Sequence, residues 1–140
     1  MRLNPDCLRE VLLTLENELT LNDNFKPVRY SSKKLLESNL NQSFDDKEII
    51  YSLIQLSKSG YIEMREVGAD QYFAAYITDI TPLGHNLLNN IRPKSNWDKV
   101  LSVVKNTSNY SLSALSTIAI NIGESQLNDA ITTLLNHSSK

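Results

Sequence analysis

Residues 45–92 constrain the fold more than any other stretch, because three periodicities follow one another there without a gap. Apolar side chains at Ile49, Leu53 and Leu56, spaced by four and three, lay a stripe along a helix over 45–59, with Ile50 beside it. Asp45 and Asp46 stand at its start, where carboxylates accept free amide protons and meet the positive end of the helix dipole. Gly60 follows as a left-handed C-terminal residue. Over 61–67 the pattern changes to period two, with Ile62 and Met64 facing one way and Glu63 and Arg65 the other, as in a half-buried strand. Gly68, Ala69, Asp70 and Gln71 make a turn, and residues 72–80, rich in aromatic and β-branched side chains, return as the second strand. Thr81 and Pro82 suit the N-cap and first position of another helix, whose expected buried stripe is Leu83, Leu87, Leu88 and Ile91. Helix, hairpin and helix in this order form the second half of a winged helix-turn-helix domain.

The preceding residues supply the first half. Asn4 and Pro5 open a helix whose apolar face is Leu8, Val11, Leu12 and Leu15, continuing to Leu19. A polar loop over 21–24 ends it, and residues 25–30, broken by Pro27, suit the short first strand of a winged-helix sheet. Ser31 or Ser32 caps a short positioning helix to about Asn39, with Leu35, Leu36 and Leu40 inward, and residues 41–44 are the turn before the recognition helix. After Arg92 the pattern shifts. Residues 93–96 break the chain. Trp97, Val100, Leu101 and Val104 give one helical stripe, and Ser111 caps a second helix carrying Leu112, Leu115, Ile118 and Ala119 that Gly123 is expected to end. Leu127, Ala130, Ile131, Leu134 and Leu135 mark a final helix, and the closing residues 137–140 are expected to fray. The expected fold is α+β: a winged helix-turn-helix over 1–92 and a helical C-terminal extension over 93–140.

Two segments carry a family resemblance. One is Ile80-Thr81-Pro82-Leu83-Gly84-His85-Asn86-Leu87-Leu88-Asn89-Asn90-Ile91-Arg92, followed by Trp97. The other is the opening Met1-Arg2-Leu3-Asn4-Pro5-Asp6-Cys7-Leu8-Arg9-Glu10-Val11-Leu12. Together they resemble the family called domain of unknown function 2513, whose members read L-T-x-x-G-H-x-F-L-x-x-I-R and then Trp, after an opening M-[KR]-x-x-x-D-x-x-R-x-x-L. Ile80 stands for Leu and Leu87 for Phe. The resemblance implies a small, often prophage-borne protein with a winged-helix-like core. It implies no activity, because none is assigned to the family.

Composition narrows the classes of function. A chain of 140 residues can bury a sizeable core, and its 41% apolar and 21% charged content is that of an ordinary globular domain. The net charge of −2 provides no global positive field toward nucleic acid or an anionic membrane. The one cysteine, Cys7, permits no internal disulfide and is expected as a small buried hydrophobe. No apolar run approaches the length of a membrane span and no signal peptide is evident, so a cytoplasmic protein is expected. The two histidines, His85 and His137, lack partners at metal-ligand spacing. His85 is therefore expected to be structural, its ring bonding backbone or packing on the wing. With no phosphate loop and no nucleophile elbow, no enzyme activity, metal or cofactor is expected.

What remains is binding. With Ile49, Leu53 and Leu56 inward, the recognition helix presents Tyr51, Ser52 and Gln55 as candidate base contacts. Lys26, Arg29, Lys33, Lys34, Lys47, Lys58 and Arg65 are candidate phosphate contacts. Double-stranded DNA is the expected partner of a small regulator, with a homodimer built through the C-terminal helices. Against this stand Asp45, Asp46 and Glu48 at the helix start and Glu63, Glu66 and Asp70 on the wing, which suit an adaptor or inhibitor that binds protein instead of DNA.

Overall fold

The computed structural model describes residues 1–138; Ser139 and Lys140, half of the tail expected to fray, lie outside the described residues. It is an α+β chain of six helices, one 3-10 turn and a three-stranded antiparallel sheet, in a winged-helix-like arrangement. Two compact units divide it, one over residues 1–85 and one from residue 86 onward.

In the first unit, α1 (Pro5–Glu18) starts where the sequence places it, with the Asn4 side chain accepting from the Cys7 amide. Cys7, Leu8, Val11, Leu12 and Leu15 are buried along it. The polar loop expected over 21–24 is present, but the strand expected to start at Phe25 is not. Leu21 bridges Pro27, and the Asn22 carboxamide oxygen accepts from the amides of Asn24 and Lys26, closing a small loop. That loop occupies the residues expected as a strand, so β1 (Tyr30–Ser31) starts later and is only two residues long. Ser31 caps α2 (Ser32–Leu36), and a separate 3-10 turn (Asn39–Gln42) follows where the helix was expected to continue. Leu35 and Leu40 are buried, while Leu36 is only half-buried.

Helix α3 (Asp46–Lys58) is capped by Asp45, whose carboxylate accepts from the Glu48 amide at 2.8 Å. It buries Ile49, Leu53 and Leu56. Gly60 takes φ 77°, turning the chain into β2 (Ile62–Glu66). The return strand β3 (Ala75–Ile80) begins three residues later than expected, because the wing tip spans 67–74. There the amides of Val67 and Gly68 both donate to the Ala74 carbonyl. A Cβ at Gly68 would run into the Tyr72 carbonyl, so the tip needs glycine. The sheet order is β1-β3-β2, with a bulge between Glu63 and Met64.

Helix α4 (Pro82–Ile91) leads into the second unit. Leu87, Leu88 and Ile91 are fully buried as expected, but Leu83 is 48% exposed. Gly84, one residue on, is the buried position of the first turn. α5 (Lys94–Thr107) begins at once after Pro93 and buries Trp97, Val100 and Val104. Ser108, in the left-handed region at φ 54°, ends it, and the Ser111 hydroxyl accepts from the Ala114 amide to start α6 (Leu112–Ser138).

Gly123 does not end that helix: α6 runs unbroken for 27 residues, through His137 and Ser138. Gly123 continues the buried row of Leu115 and Ala119 at four-residue spacing. A Cβ there would collide with the Asn90 side chain, so the glycine admits a neighbouring helix instead of terminating its own. Among the described residues no helix is long and apolar enough to cross a membrane.

Candidate nucleic-acid interface

Along α3 the outward row is Lys47, Tyr51, Gln55 and Lys58, at spacings of four, four and three. The lysines at either end are exposed, and Tyr51 and Gln55 between them are half-exposed. Ile50 and Ile54 share this side and are also only half-buried. The middle of the row is therefore amphipathic.

Ser52 does not join it. Expected outward, it is wholly buried. It lies three residues after Ile49 and four before Leu56, which puts it on the edge of the inward stripe. Burial removes it from any contact with a base. Its hydroxyl makes no hydrogen bond, although it lies near enough to the Cys7 thiol to act on it. An unsatisfied buried hydroxyl costs about 1 kcal/mol or more. Ser52→Ala is therefore expected to raise stability by about 1 kcal/mol and the melting temperature by about 3 °C in a calorimetric scan. A fall in melting temperature would mean that the hydroxyl has a partner.

Cys7 is buried as expected. Its pKa is pushed up to about 11 by burial first, with the Glu48 and Asp45 carboxylates adding and the Ser52 hydroxyl opposing. The thiol is thus neutral and inert at neutral pH. Between its ordinary 9.0 and about 11 the unfolded chain has released this proton and the folded chain retains it. Stability is then fully present below pH 9 and falls as pH rises to 11, by about 2 to 3 kcal/mol from this group. Urea melts at pH 8, 9, 10 and 11 are expected to show that decline, and Cys7→Ala to flatten it.

A second set of candidates gathers around the sheet. Arg29, Glu63, Met64, Arg65, Val67, Tyr76 and Thr78 line one shallow groove. Glu18, Thr20, Val28, Arg29, Tyr30, Lys34 and Ser38 line another. Arg29 belongs to both, so Lys34, Arg29 and Arg65 are brought into one track along the sheet, in which the carboxylates of Glu18 and Glu63 alternate with them. The Arg29 guanidinium carbon sits 5.8 Å from the centre of the Tyr76 ring, within cation–π range, which holds the side chain over the strand. Burial, and then Glu18, raise the pKa of Tyr30, so its phenol stays protonated and able to donate. Lys26 is exposed on the loop closed by Asn22, and Lys33 is exposed on α2. The α3 row lines neither groove.

Tyr76 escaped the sequence reading. The expected turn over 68–71 would pair Arg65 with Ala74; only the longer wing tip makes Arg65 and Tyr76 register partners across β2 and β3, on one face of the sheet. His85, expected to pack or to bond backbone through its ring, is exposed on α4, so its conspicuous place beside Gly84 carries no packing role. Among the described residues no group of three or more His, Cys, Asp or Glu side chains is arranged to hold a metal ion.

The site is thus a surface: a winged-helix-like arrangement with an accessible outer row on α3 and basic side chains beside its wing. The family model for hypothetical proteins of domain of unknown function 2513 matches residues 2–110, and the chain belongs to that family. The matched region takes in α1 to α5 and stops before α6. No curated protein and no solved structure matches the chain significantly.

Proposed function

We propose that this chain is a DNA-binding protein, a small cytoplasmic regulator of transcription that reads duplex DNA with α3. The mobile-element origin that the family resemblance implies belongs to the same reading. The observation that carries it is the accessible row on α3, where lysines flank a tyrosine and a glutamine. Gln55 has the bidentate amide that matches adenine in the major groove, and Tyr51 offers a hydroxyl to base or phosphate. Lys47 and Lys58 at the ends of the row suit the phosphates on either side. The Lys34, Arg29 and Arg65 track suits a further stretch of backbone under the wing. The chain works by binding alone, with no catalytic step and no cofactor, and a two-fold pair of chains fits a two-fold symmetric site.

A second reading, an adaptor that binds a basic protein surface, is favoured by the exposed carboxylates of Asp46 on α3 and of Glu63, Glu66 and Asp70 on the wing. Titration of a labelled duplex with the purified chain, followed by fluorescence anisotropy at low salt, separates the two. Under the DNA reading the anisotropy rises in the micromolar range and the rise is lost as salt is added. A duplex that gives no rise, alongside a polylysine that does bind, transfers the assignment to the adaptor.

A further inference from the structure

From Leu127 to His137 every residue of α6 is exposed. This is the outer end of a helix about 40 Å long. Its apolar residues are not scattered. Leu127, Ile131 and Leu135 form one row at four-residue spacing, with Leu134 alongside, and they are exposed by 60%, 45%, 64% and 67%. Most of the intervening residues are poor helix formers, Asn128, Asp129, Thr132, Thr133 and Asn136, with Ala130 the exception. A segment of this length and composition is marginal as a helix in water unless its apolar face is packed.

We infer that this face is the contact surface for a second copy of the same chain, the two α6 ends crossing antiparallel about an axis beside Ile131. Two observations select a second copy. The first is area. Four such side chains from each chain contribute roughly 800 Å² of apolar surface at roughly 100 Å² apiece. The polar residues around them bring the contact to roughly 1,200 Å², where specific interfaces begin. The second is charge. Asp129 is the one acidic or basic side chain between Ser125 and Asn136, so the surface offers nothing to a charged partner and nothing that repels its own copy. Antiparallel crossing sets the Glu124 end of one helix beside the His137 end of the other, acceptor against ring N–H, whereas a parallel pair would bring each Glu124 beside its own copy. The inference deepens the two-fold reading of the proposed function but stands on α6 alone, and its test uses no DNA.

The full chain is expected to sediment at twice 15.8 kDa at micromolar concentration. Ile131→Glu is expected to weaken the pair at least about 100-fold, giving the single-chain mass with the melting transition of the first unit retained. Orientation is read by cysteines in a Cys7→Ala background. Ile131→Cys alone cross-links to itself on mild oxidation, and Leu127→Cys mixed with Leu135→Cys cross-links as the mixed pair. A wild-type chain of single mass at those concentrations overturns the inference, as does a pair that survives Ile131→Glu, and either result leaves DNA binding by α3 untouched. Leu127→Cys cross-linking to itself in preference to Leu135→Cys overturns the antiparallel arrangement.

Discussion

Gly84→Ala is expected to destabilise the chain by about 3 kcal/mol or more and to lower its melting temperature by about 10 °C. Helix propensity alone predicts the opposite sign, because alanine is better than glycine inside a helix by about 1 kcal/mol. Space decides. A Cβ at position 84 would run into the Tyr61 carbonyl and come within 2.7 Å of the Ile80 Cγ2 methyl. The first obstacle is backbone and cannot rotate away. That same carbonyl already accepts from the Thr81 amide at 3.1 Å. The Thr81 hydroxyl donates to the Gly60 carbonyl at 2.7 Å and accepts from the Gly84 amide at 3.1 Å. The start of α4 is thereby sewn onto the turn between α3 and β2, and any shift that makes room for the added methyl strains this set of bonds. Gly60→Ala is the internal control. Gly60 has φ 77° but nothing within 4 Å of a Cβ, so the cost is the left-handed strain alone, about 1 to 2 kcal/mol. If Gly84→Ala proves no worse than Gly60→Ala in urea melts, the close approach at Tyr61 is not what position 84 requires.

Removing the basic track is the second large effect. The triple variant Arg29→Ala, Lys34→Ala, Arg65→Ala is expected to bind duplex DNA about 100-fold more weakly, at about 1 kcal/mol for each lost phosphate contact. The slope of log affinity against log salt should become shallower by about 3, since each neutralised phosphate contributes about 0.9. The loss should be the same for every duplex, because phosphate contacts carry no sequence information. Arg29 and Arg65 are exposed, and so is Lys34, so the fold should survive the loss of these side chains and of the cation–π contact to Tyr76. An affinity and slope equal to the wild type would take the sheet side out of the interface and leave α3 alone to account for binding.

Long periodic segments are legible in the sequence: α1, α3, the hairpin and α4 follow from spacing and capping residues, and α5 from spacing alone, since it has no side-chain cap and starts at Lys94 inside the expected break. The failures are local and share a cause. Ser52 reads as outward on its polarity, yet its place between Ile49 and Leu56 on the helix outweighs one hydroxyl. Gly123 reads as a helix end only when its fit against Asn90 is unknown, and that fit depends on a residue far away in the sequence. Leu83 reads as core on hydrophobicity, while the tight approach at Tyr61 turns Gly84 inward in its place. The loop closed by Asn22 displaces the expected strand because one side-chain oxygen accepts two backbone amides, which no period records. For the candidate interface, spacing alone leads to Lys47, Tyr51, Gln55 and Lys58. The joining of Arg29 to Lys34 and Arg65 requires the sheet to exist first, with β1 paired to β3.

The most direct test of the central claim, that α3 and its surroundings read duplex DNA, is selection from a random-sequence duplex pool by the purified chain, with retention followed across a salt series. Enrichment of one short site is expected, with recovery that falls steeply as salt rises and a preference at one base pair that relaxes with Gln55→Ala. Failure to retain any duplex even at low salt would contradict it.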